Sequence, residues 1–220
     1  MARRVLSVLV VLALSGCGAV PSGGAGSDKV PDGTPDAATA RAQLGQLAEG
    51  PAGGLDGYVR DCDDGAACVF GRPWSDVDGD GCDQRSQVLA RDLVGVQRKE
   101  GRCGVTGGTL HDPYTGDTVR GVSKVQIDHV VPLAEMWRSG ASGWTTEQRT
   151  AAANDLRNLI AVRGEVNQSK GDRTPAEWMP PNPAYSCAYA RIYVGVKARY
   201  RLTVTPPERE ALDRTLSACR

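Results

Sequence analysis

The stretch Lys124-Val125-Gln126-Ile127-Asp128-His129-Val130-Val131-Pro132-Leu133 decides the reading of this chain. Val125 and Ile127 alternate with polar neighbours, which predicts a short strand over 124–127. That strand delivers Asp128 and His129 side by side. Adjacent residues of a regular strand face opposite sides, so the pair can serve one site only at a strand end or a bulge. Pro132 ends the extended run and opens a helix over 132–138. An isolated Asp-His pair is in most proteins a surface salt bridge. Its surroundings decide whether it is more.

Working outward, Thr109-Leu110 and Asp117–Arg120 read as further short strands, with turns at Tyr114-Thr115-Gly116 and Gly121. Residues 84–97 carry a helical stripe of Val88, Leu89, Leu93, Val94 and Val96, with Asp83 as its N-cap. Downstream, Thr145-x-x-Gln148, Thr174-Pro175-x-Glu177 and Thr205-Pro206-x-Glu208 each have the form of a capping box and predict helix starts. Tyr185–Tyr200 reads as a longer helix, and residues 38–48 as a short one with Leu44 and Leu47 on one face. Residues 50–82 are rich in Gly and Asp and read mostly as loop. The sum is an α+β fold without an internal repeat.

The N-terminus reads as address and tether. Arg3 and Arg4 precede the apolar run Val5–Leu14, whose ten residues are about half a membrane span and exclude a multi-span protein. Leu14-Ser15-Gly16-Cys17 looks like a bacterial lipobox, so residues 1–16 are expected to be a signal peptide and Cys17 to be lipidated. A membrane contact would then run through the lipid anchor alone. Residues 17–40, dominated by Gly, Pro, Ser, Ala and Asp, are expected to be a flexible tether. Residues 41–220 would form the domain, lipid-anchored to the outer face of the cell membrane or released from it.

Seven Cys include Cys17, leaving an even six in an exported chain, which reads as disulfides. Proximity and element pattern favour Cys62–Cys68, Cys82–Cys103 and Cys187–Cys219. Each longer loop would contribute on the order of 3 kcal/mol. No C-x-x-C pair occurs and only two His are present, which excludes zinc-finger spacing. The 26 Lys/Arg balance 26 Asp/Glu, so net charge selects no partner. Residues 120–220 nevertheless hold 15 Lys/Arg against 10 Asp/Glu, making that half the better candidate for a polyanion. Asp76-Val77-Asp78-Gly79-Asp80-Gly81 matches the start of an EF-hand loop through Asp76, Asp78 and Asp80. Gln87 stands at its twelfth position in place of the bidentate Glu, and an acidic turn before the helix is the plainer reading.

Taken together, Asp128-His129-Val130-Val131-Pro132-Leu133, then Asn158-Leu159, then Asn167-x-Ser169-Lys170-Gly171-Asp172 resembles the HNH endonuclease motif. The similarity is to its exported actinobacterial branch, related to the C-terminal domain of GmrSD-type restriction enzymes, and runs from about Cys82 to Cys219. It takes in Trp144, Ala153-Asn154-Asp155 and Ala176-Glu177-Trp178. The resemblance implies a ββα-metal core, a hairpin carrying Asp128 and His129 and a helix carrying the last ligand, surrounded by disulfide-stapled helices. It implies His129 as general base. Asp128 and Asn167 would be oxygen ligands for a divalent cation, Mg²⁺ first, with Mn²⁺ or Ca²⁺ as substitutes. Asn158 would hold the loop and orient His129, and Lys170 would contact phosphate. Asp stands where the literal motif has its first His and Asn where it has its last, which favours an oxygen-rich site. The implied partner is nucleic acid, DNA in the first instance, with no protein partner indicated. The rival readings are a non-catalytic nucleic-acid-binding lipoprotein on the same scaffold and a calcium-binding envelope protein. Taken singly, His111 reads as a surface residue, and Trp137, Trp144 and Trp178 as packing residues.

Overall fold

The computed structural model describes residues 29–60, 68–100 and 103–219. Among the described residues it is a mixed α+β fold with two small antiparallel sheets and two disulfides. One sheet orders β1 (Val94–Arg98), β2 (Val105–His111) and β3 (Thr118–Arg120); the other pairs β4 (Val125–His129) with β5 (Leu159–Arg163). Between β4 and β5 lie α3 (Leu133–Arg138) and α4 (Thr146–Ala153), and α5 (Gly164–Lys170) follows β5 directly and packs on both strands. The remaining helices are α1 (Ala37–Gln46), α2 (Gln84–Asp92), α6 (Ser186–Tyr200) and α7 (Pro206–Ser217).

Helix α6 organises the larger core. Ala188, Tyr189, Ala190, Ile192, Tyr193, Val194 and Val196 are all buried, the pattern of a helix enclosed on nearly every side. Helix α7 starts at the capping box foreseen from Thr205 and Glu208, and Cys187–Cys219 joins its end to the start of α6 with Cα atoms 5.6 Å apart. Inside this core Lys197 Nζ lies 2.9 Å from Glu135 Oε1 and 2.7 Å from Glu208 Oε1, and donates to Thr203 O at 2.8 Å. Tyr193 OH donates to Glu208. The cluster ties α3, α6 and α7 together and occupies Glu135 away from Asp128 and His129. The smaller core lies between α2 and the sheets, on Val88, Leu89, Leu110, Val125, Ile127 and Leu159. Cys82–Cys103 joins the chain just before α2 to the chain just before β2, with Cα atoms 5.4 Å apart.

Four expectations change. The helix expected over 84–97 ends at Asp92, and residues 94–98 form β1. Val94 and Val96 favour extended backbone, and β2 offers a partner, so pairing overrides the helical stripe. Thr174 N and Oγ1 do donate to Glu177 Oε2, at 2.9 and 3.1 Å, but they close a turn and do not open a helix. Pro180, Pro181 and Pro183 prevent its extension. Residues 159–163, not foreseen as a strand, pair with β4. Finally, residues 29–40, expected within the tether 17–40, are packed. Ala40 is buried, Arg191 Nε donates to Pro35 O at 2.7 Å, and Tyr185 OH donates to Lys29 O at 3.2 Å. The Asp36 side chain caps α1 by accepting from Thr39 N at 2.7 Å. The remainder of the tether, the signal peptide 1–16, Cys17 and the partner of Cys68 in the expected Cys62–Cys68 pair lie outside the described residues. Among the described residues, no helix is long and apolar enough to cross a membrane.

Candidate active site

Asp128 and His129 are the last two residues of β4, facing Ile160 and Leu159 of β5. Asn158, just before β5, holds the chain as it leaves β4. Its backbone O accepts from Val130 N at 2.9 Å, its Oδ1 accepts from Val131 N at 2.8 Å, and its Nδ2 donates to Val131 O at 3.0 Å. Pinned in this way, the chain departs from the sheet at His129, and both side chains border a cavity of about 360 Å³ that Asn167 also lines. The strand end thus answers the geometric difficulty of an adjacent pair. Asn158 itself is fully buried and lines neither this cavity nor its neighbour, so it acts on position.

His129 Nε2 lies 2.7 Å from Ala153 O, at the end of α4. A carbonyl can only accept, so Nε2 carries the proton and Nδ1 keeps the lone pair of the neutral ring. Burial drives the imidazole pKa down to about 3, helped by the positive charges of Arg60 and Lys170 and opposed by the Ala153 carbonyl. The ring is therefore a neutral proton acceptor at neutral pH.

Asp128 is held on both oxygens. Lys170 Nζ is 2.9 Å from Oδ1 and also donates to His129 O at 2.8 Å, while Tyr114 OH donates to Oδ2 at 2.5 Å. Burial raises the Asp128 carboxyl, and Lys170 and Tyr114 pull it back. The Tyr114 hydroxyl is raised well above its ordinary range by burial and by Asp128. Here the expectation for Lys170 changes. Its side chain is fully buried and its ammonium is directed at Asp128 and the His129 carbonyl, not at a surface where a phosphate would bind. The last residue of α5 points into the protein because β4 lies beneath it.

Asn167, on α5, donates from Nδ2 to Gln126 Oε1 at 3.0 Å, which directs its amide and leaves Oδ1 as an acceptor. Each Asp128 oxygen retains a further lone pair beside its present partner. A carboxylate and an amide oxygen bordering one cavity suit a hard cation that keeps several waters, so the donor set fits Mg²⁺ or a similar ion.

His129 also borders a second cavity, of about 400 Å³, lined by Arg60, Arg72, Trp74 and Asn154. Arg60 borders both cavities. Sequence reasoning passed over Arg60, Arg72 and Trp74 because they stand in the segment read as loop. The signal present was an Arg-Pro-Trp run after Gly71, basic and aromatic residues together. The sequence marks Tyr114 only as part of a turn; nothing local identifies it as the partner of Asp128.

The other candidates lie away from this centre or serve packing. Carboxylate oxygens of Asp76, Asp78 and Asp80 converge within 4.8 Å on the exposed surface. Asp76 accepts from Gly79 N and Gly81 N, at 2.7 and 2.9 Å, and Gln87 Nε2 donates to Asp78 Oδ2 at 3.0 Å. The twelfth-position amide thus turns onto the loop's own carboxylate. His111 is exposed on β2, in the other sheet. Trp137 is buried, Trp144 packs against Tyr200 and Trp178 against Tyr114, as packing residues would.

Residues 83–214 match the family described as GmrSD restriction endonucleases, C-terminal domain. The chain is 44% identical over 191 residues to an "Uncharacterized secreted protein" of Arthroderma benhamiae, covering 86% of this chain and 89% of that one. No solved structure matches.

Proposed function

The chain belongs to the family of GmrSD restriction endonuclease C-terminal domains, and on that premise we propose that it is an exported, metal-dependent endonuclease hydrolysing phosphodiester bonds in nucleic acid, DNA in the first instance. The observation that carries this reading is the bond from His129 Nε2 to Ala153 O, which fixes the tautomer of a buried imidazole beside Asp128 and Asn167. Strands β4 and β5 with helix α5 are read as the ββα-metal core.

In the proposed reaction His129 Nδ1 takes a proton from a water that attacks phosphorus. The oxygen–phosphorus bond forms as the bond to the leaving sugar oxygen breaks, and that oxygen collects a proton from solvent. The Ala153 carbonyl stabilises the imidazolium that forms. Asp128 and Asn167 would hold the divalent cation, which when bound supplies positive charge to the phosphate and the leaving oxygen. Lys170 and Tyr114 keep Asp128 in place, and Asn158 keeps His129 at the strand end. Arg60, beside both cavities, takes the phosphate contact first expected of Lys170.

Export is supported by the secreted relative, by the even count of six Cys apart from Cys17 and by the two disulfides. The Leu14-Ser15-Gly16-Cys17 pattern supports a lipid anchor at Cys17, which labelling with a radioactive fatty acid and a Cys17→Ser comparison would test. The test of the activity is plasmid cleavage by the purified full-length protein with Mg²⁺, Mn²⁺, Ca²⁺ or EDTA, beside His129→Ala. Metal-dependent nicking lost in the variant is the expected result. Binding without cleavage under any metal would favour the non-catalytic reading.

A further inference from the structure

We propose that the second cavity bordering His129 is a nucleotide subsite in which Trp74 stacks on an unpaired base, so that the preferred substrate is single-stranded nucleic acid. The proposal rests on the nuclease reading above and adds the substrate class.

Trp74 lies parallel to the His129 ring, with 6.1 Å between centroids and 17° between planes. It is only half-buried. It packs on the smaller core while bordering the open cavity with Arg60 and Arg72. Its backbone is left-handed, with φ 56°, a conformation side chains other than Gly rarely adopt. The loop is held in that shape from α4. Arg149 Nε donates to Val69 O at 2.5 Å, and Asn154 Oδ1 accepts from Ser75 N at 3.1 Å. Gly71 packs so closely that a Cβ there would lie 2.1 Å from Thr150 Oγ1. Helix α4 therefore carries both the loop that presents Trp74 and the Ala153 carbonyl that orients His129. A ring that served packing alone would not need an unfavourable backbone fastened at three points, nor a place on the lining of a cavity that Arg60 and Arg72 also border.

The placement defines a chemistry. Asp128 and Asn167 border the first cavity and Trp74 and Arg72 the second, while His129 and Arg60 border both. A phosphodiester at His129 would thus set a flanking nucleotide against Trp74. Stacking on an aromatic face tolerates any base, because every base has a π-face. It also requires a base free of its duplex partner, and extruding a paired one is unfavourable.

The experiment uses the full-length protein, a labelled single-stranded oligonucleotide and the matching duplex. Trp74→Gly removes the ring and suits the left-handed backbone; Trp74→Phe retains a ring. With Mg²⁺, wild type should cleave the single strand in preference to the duplex. Trp74→Gly should raise KM on the single strand by about 5- to 150-fold with kcat little changed, and Trp74→Phe should restore most of the loss. In EDTA, the oligonucleotide should quench wild-type tryptophan emission and not that of Trp74→Phe. Cleavage by Trp74→Gly with wild-type KM, or equal quenching in Trp74→Phe, overturns the subsite and leaves the nuclease standing. Absence of both cleavage and binding in wild type overturns the nuclease reading, and the subsite with it.

Discussion

Lys170 and Asp128 form a buried ion pair across 42 residues of sequence, with Nζ 2.9 Å from Oδ1 and neither side chain more than 5% exposed. The same ammonium donates to the His129 carbonyl, so the end of α5 is bonded to two consecutive residues of β4.

Removing the cation alone strands the carboxylate. Lys170→Met is expected to destabilise the fold by about 3–5 kcal/mol, because an uncompensated buried charge remains. Adding Asp128→Asn should recover a substantial part of that loss. Urea unfolding of the two variants and wild type measures both effects. Equal stability of Lys170→Met and wild type would contradict the pairing.

Acid should weaken the metal-free protein through His129. Its folded pKa of about 3 lies below the ordinary 6.5. Between those values the unfolded chain binds a proton that the folded one does not, so stability falls as pH drops through the window. One such group contributes at most about 1.4 kcal/mol per pH unit. His129→Gln should flatten the pH dependence of unfolding in EDTA between pH 6.5 and 4; an unaltered slope would show that the imidazole is not held neutral.

Asn158→Ala leaves Val131 N–H and C=O without partners inside the protein, at a cost of about 1–3 kcal/mol. Because Asn158 borders neither cavity, its loss should lower kcat more than it raises KM on an oligonucleotide substrate. A pure KM effect would place Asn158 on the substrate instead.

The segment before residue 41 should prove structural. A chain starting at 41 loses the Asp36 cap, the buried Ala40 and the bonds from Arg191 and Tyr185. Its melting midpoint is expected to fall by roughly 5 °C or more. Gly195→Ala probes the same contact. Ala ordinarily strengthens a helix interior, but here its Cβ would lie 2.7 Å from Pro35 Cδ, so the variant should be less stable. A stabilised Gly195→Ala would mean that residues 33–35 do not pack on α6.

Much was legible locally. The capping boxes at Thr145 and Thr205 open α4 and α7, because a cap is settled by residues within one turn. Cys82–Cys103 and Cys187–Cys219 were legible in spacing and element order. The box at Thr174 formed its bonds without a helix, since the prolines beyond it outweigh a start signal. The strand at 94–98 was hidden, because Val94 and Val96 satisfy a helical stripe until β2 is present to pair with them.

By itself the amino-acid sequence determined the chemical inventory: an Asp-His pair at the end of a short strand, an Asn before a second apolar run, an Asn and a Lys at the close of the motif, and cysteines suited to export. These depend on residue identity and short spacing. Only the tertiary structure decided how that inventory is used. It buried Lys170 against Asp128, placed the Ala153 carbonyl on His129, brought Tyr114 to the same carboxylate, and set Arg60, Arg72 and Trp74 beside the imidazole. Each of these contacts joins residues at least 14 positions apart. Such contacts depend on how β4, β5, α4 and α5 pack together, and no local pattern specifies that packing.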